Sequence, residues 1–136
     1  MSNVRRIATE CFVKVLDTAA AIAAVTGRAS LNVVPWREDM EVELPVVAFT
    51  FSSIRTRGGV GENYDVVATF GAYATSAKVA DDLLKAVEDT LTVPNIIAAG
   101  YDAAVLTYFR PDHEHEAEGD QEVVRSDLEL GVWFTL

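Results

Sequence analysis

The chain has 136 residues, half of them hydrophobic and 24% charged, which suits one core in a single domain over residues 1–136 and excludes wholesale disorder. Its 21 acidic and 11 basic side chains leave a net charge of −10, a poor basis for gripping phosphates, whose affinity comes from Lys and Arg. No apolar run approaches the roughly 20 residues of a membrane span, and Met1–Arg6 lacks a signal peptide's apolar run, so no membrane partner and synthesis in the cytosol are expected.

The acidic balance has two readings. It keeps a surface soluble, or it makes a wall that repels DNA passing by without binding it. The single cysteine, Cys11, excludes an intrachain disulfide and argues against a cysteine-based zinc site.

In chain order, Val4, Ile7, Cys11, Phe12, Val15, Leu16, Ala19, Ile22 and Val25 recur at spacings of three and four, predicting one long amphipathic helix with Gly27 at its C-terminal cap. Cys11 lies on the apolar stripe and reads as a small core residue. Pro35 limits Leu31–Trp36 to a short edge strand. Pro45 opens a strand in which Val47, Phe49 and Phe51 alternate with Ala48, Thr50 and Ser52. Arg55 to Asn63 is a loop, since three of its residues, Gly58, Gly59 and Gly61, are glycine. Tyr64, Val66, Ala68, Phe70 and Ala72 alternate along the return strand, completing a hairpin.

Ser76 is a helix cap, followed by the stripe Ala80, Leu83, Leu84, Val87 and Leu91; Pro94 is expected to end this helix, with 94–100 a connector. A second hairpin pairs Ala103–Phe109 with Val123–Leu136 across the acidic loop Asp112–Asp120. In the last strand Leu128, Leu130, Val132, Phe134 and Leu136 alternate with Arg125, Asp127, Glu129 and Trp133, which predicts one covered and one wetter face. The expected fold is therefore α+β, one antiparallel sheet of about four strands in two hairpins with two helices on one face.

Little of this looks catalytic. His113 and His115, two apart, could reach one metal with Asp112, Glu114 and Glu116 completing a shell, but Pro111 and Gly119 flank the segment and a solvated acidic loop is the simpler reading. Gly58, Gly59, Val60 and Gly61 lack the Gly-Lys-Ser/Thr and strand-to-helix context of a phosphate loop. Arg55 and Arg57 beside them form the one mid-chain positive cluster, either on a bare hairpin tip or on a tip that meets an acidic neighbour. No nucleophile, base and orienting group stand together, and no cofactor or enzymatic activity is expected.

The helix ending in Thr26-Gly27-Arg28, the segments Val33–Trp36 and Leu44–Val47, the strand Asp65–Ala74 running directly into a helix, and the closing strand Val124–Phe134 resemble, in this order, the phage tail terminator family, also called tail completion or neck proteins. The chain departs from it at Val46, where the family usually has Tyr. The resemblance implies a virion protein forming a hexameric ring of identical subunits at the head-proximal end of the tail. Its partners are then the tail tube protein and the head connector or neck protein, with DNA passing through unbound. Arg55, Arg57, Gly58 and Gly59 on one loop, and Asp112, His113, Glu114 and His115 on the other, are the candidate assembly residues. Two other readings stay open: another head-tail connector or head completion protein, and a ligand-binding domain or enzyme with a pocket lined by Tyr64, Tyr73 and Tyr108.

Overall fold

A computed structural model describes residues 2–37, 42–57, 63–109, 116–118 and 123–135. The apolar stripe at the N-terminus forms a helix as its period requires, but it is not continuous. α1 (Ser2–Leu16) and α2 (Ala20–Thr26) are separate. The break has a cause far along the chain. Asp17 leaves the helix and its carboxylate accepts the backbone N–H groups of Leu31, Asn32 and Val33 at 3.1, 2.7 and 2.9 Å. The side-chain amide of the fully buried Asn32 donates back to the Asp17 carbonyl. α2 closes on Gly27, whose φ of 74° is the left-handed cap conformation.

β1 (Val33–Pro35) is the predicted edge strand, but it runs parallel to β2 (Val46–Arg57), so the sheet is not purely antiparallel. β2 pairs antiparallel with β3 (Asn63–Ala74), with a bulge between Phe51 and Ser53. The bulge flips the pattern of β2. Ala48 and Thr50 share a face with Ser53 and Arg55 beyond it, while Ile54 takes the face of Phe49. α3 (Ala77–Thr90) starts on Ser76, whose hydroxyl accepts from the Val79 N–H at 3.3 Å. Pro94 does not merely end a helix. It opens a further one, α4 (Val93–Ala98), from the first turn, where its missing N–H costs nothing.

β4 (Ala103–Phe109) and β6 (Val123–Thr135) pair antiparallel, and β6 lies between β3 and β4. The strand order is β1-β2-β3-β6-β4, five strands rather than about four, with the three-residue β5 (Glu116–Glu118) beside β6. The acidic segment is thus not all loop: residues 116–118 pair with Val123–Arg125.

Helices cover one face of this sheet. Val66, Ala68, Phe70, Leu128, Leu130, Val132 and Phe134 point into that face and are buried. Phe12 of α1 sits among them, its ring 5.5 Å from Phe49, 5.2 Å from Phe70 and 6.4 Å from Phe134. Aromatic pairs of this kind each contribute about 1 kcal/mol beyond their burial. On the same side α3 sets Asp81 against the hydroxyl of Ser126 at 2.9 Å. Burial pushes the Cys11 thiol up to about 12, with Lys14 pulling weakly the other way; Cys11 is the core residue its place on the stripe implies.

Candidate assembly surface

The second face of the sheet carries no described helix. It is built from the alternate residues of the same strands, because side chains along a strand point to opposite sides. Cross-strand register lines them in rows. Ser53, Val67, Gly131 and Thr107 form one row across four strands; Arg55, Asp65, Trp133 and Val105 form the next. Together they line a shallow depression. Val105 is 50% exposed there, an apolar side chain left in water.

Toward the other end of this face, Arg125 donates to Asp127 at 2.8 Å and lies 5.5 Å over the ring of Tyr73. Gly71 makes the room. A Cβ at that position would sit 3.1 Å from the Asp127 carboxylate and 3.2 Å from the Tyr73 ring. The charged cluster thus lies flat on the sheet and leaves the face open.

Arg55 is exposed on this face, opposite Asp65 on β3, and makes no ion pair with a described residue. Arg57 ends β2 opposite Asn63. Gly58 and Gly59, and the whole of Asp112, His113, Glu114 and His115, lie outside the described residues. Among the described residues no three His, Cys, Asp or Glu side chains group to hold a metal ion, and no helix is long and apolar enough to cross a membrane.

The tyrosine-lined pocket does not form. Tyr64 is buried in the core and Tyr108 donates its hydroxyl to the carbonyl of Leu91 on the helical side, while Tyr73 stands on the opposite face. The three rings cannot line one cavity. Burial raises the Tyr108 hydroxyl above its ordinary value, helped by Glu88 and Asp89; the hydroxyl serves as a structural donor.

A surface missed in the sequence lies at the β1 edge. Leu31, held at a φ of 61°, is 74% exposed, with Trp36 at 47% and Val42 at 39%. Arg28 beneath them donates to the carbonyls of Leu44 and Pro45, which fixes the turn into β2. Three large apolar side chains within twelve residues were visible in the sequence, but no local period marked them as exposed.

No family profile matches the sequence, and no curated protein does. The fold has a counterpart among solved structures. It is similar to a chain in the virion of a native gene transfer agent particle, with a TM-score of 0.61 and 13% identity, over 87% of each chain. At that identity the likeness is one of fold.

Proposed function

We propose that this chain is a non-enzymatic virion subunit of the tail terminator or tail completion kind. Copies assemble into a ring at the head-proximal end of a tail, cap the tail tube and join it to the head connector, and DNA passes through the opening. The observation that carries the reading is the fold shared with a chain of a gene transfer agent virion across 87% of both chains. The bare sheet face with its half-exposed Val105, and the exposed Leu31, Trp36 and Val42, supply surface for partners. A net charge of −10 keeps DNA from adhering to the wall it passes.

The test uses the full chain. Native mass spectrometry and negative-stain electron microscopy over rising concentration should find a discrete ring, and adding the protein to growing tail tubes should stop their elongation. A chain that stays monomeric at every concentration and leaves tube length unchanged defeats the reading. Labelling in intact particles separates the terminator position from that of a neighbouring neck protein.

A further inference from the structure

Among the described residues, the two lateral edges of the sheet are both uncovered over one shared band. At the start of β2, residues 47–49 are covered by β1, and β1 is itself closed to further strands. The N–H of Val33 is taken by Asp17, Pro35 has none, and the strand is three residues long. These are devices that stop edge-to-edge pairing. On the other side, next to that level and farther from the open band, β5 covers Val123–Arg125.

Over the remaining half of the sheet no described strand covers either edge; β2 there carries its bulge beyond Phe51 and two arginines. No described residue pairs with the outer side of β2 from Thr50 to Arg57, or with the outer side of β4 from Ala103 to Phe109. β4 holds no charge and no proline. The two open edges stand at one height, since Ser53 and Thr107 share a row, as do Ile54 and Leu106. β2 and β4 also run in opposite directions, because three successive antiparallel pairings separate them.

We propose that the open edge of β2 in one copy pairs antiparallel with the open edge of β4 in the next, so that one sheet continues from subunit to subunit. The proposal rests on the self-assembly reading above and names its interface. The contact is heterologous, one edge against a different edge, which is the kind that closes into rings when the rotation per copy divides a full turn. It keeps the faces in step, with Ser53 and Arg55 beside Thr107 and Val105 of the neighbour. It also brings the ends of the two strands to one level. Arg57 ends β2 at the level where Asp102 precedes β4, the level fixed by the Thr135 N–H donating to the Asp102 carbonyl at 3.1 Å. A chain of net charge −10 thus meets its copy along β4, a strand with no charged residue.

The test is covalent trapping in the full chain with Ser53→Cys and Thr107→Cys together. Within one copy these positions are three strand spacings apart, about 14 Å, whereas a disulfide needs Cα atoms within about 7 Å. A link can form only between copies. Mild oxidation should convert most of the double variant into a ladder of multimers on a denaturing gel, up to the ring size, and each single variant should stay a monomer. Ser53→Cys with Val105→Cys covers a register displaced by two residues. If native mass spectrometry finds rings but neither double variant gives a ladder, the proposed pairing is wrong while the ring reading stands. A covalent dimer from Thr107→Cys alone would mean that β4 pairs with itself about a two-fold axis, which overturns the proposal. A monomer at every concentration defeats both.

Discussion

Asp17 is the residue on which the N-terminal half turns. One carboxylate interrupts a helix, collects three consecutive N–H groups and closes the outer edge of β1. Hydrogen bonds to a charged acceptor contribute roughly 1.5–3 kcal/mol each, and bonds that share one carboxylate do not add in full. Asp17→Ala should therefore lower stability by about 3 kcal/mol in urea titration, and Asp17→Asn, which keeps an acceptor, by clearly less. Equal losses would mean that the negative charge, not the acceptor geometry, sets the turn. Cys11 gives a second prediction. Burial makes its thiol keep its proton in the folded chain up to about 12, against an ordinary value of 9.0. The folded state then binds more protons than the unfolded state in that window, so stability is full below pH 9 and falls as pH rises toward 12. The loss has a limiting slope of about 1.4 kcal/mol per pH unit. Denaturation midpoints compared between pH 8 and pH 11 should show it, and Cys11→Ala should flatten part of it.

The strands differ from the loops in how far the sequence specifies them. β3 and β6 alternate so cleanly that residues predicted to face the core, from Tyr64 to Ala72 and from Leu128 to Phe134, are buried, and the α3 stripe with its Ser76 cap is equally local. The parallel pairing of β1, the break at Asp17 and the bulge beyond Phe51 were not readable, because each depends on partners 14 or more residues away rather than on a local period. Pro94 was readable only in part: the same ring chemistry that stops one helix starts another. Of the candidate assembly residues, Arg55 lies on the open face and Arg57 ends β2, while the acidic set at 112–115 falls outside the described residues. β6 is paired on both sides, so a charge on its buried face has nowhere to go. Leu130→Asp should cost several kcal/mol, seen as loss of the cooperative thermal transition by circular dichroism. An unchanged melting temperature would contradict the placement of that strand.

At the scale of the molecule, the proposed assembly can be tested through the charge on the β2–β3 hairpin. Arg55→Glu with Arg57→Glu should leave the monomer folded, since Arg55 is exposed and substitutions at exposed positions usually change stability little. The same pair should weaken ring formation, most at low salt, where exposed charges are least screened. Rings that form as readily as those of the parent at low salt would reduce the hairpin tip to a turn with no part in assembly.

The one-sided placement of the helices fixes which way such an assembly curves. Helices are about 10 Å thick and need more lateral room than strands, so copies joined through their sheets splay outward on the helical side. The bare face then lines the opening. Four strands at about 4.8 Å give each copy roughly 19 Å of circumference. Six copies would enclose a channel about 37 Å across between backbones, and wider if the strands tilt. The copy number therefore sets a lower bound on the bore, and a cross-section measured by electron microscopy that is much narrower than this would mean that the sheets do not form the wall.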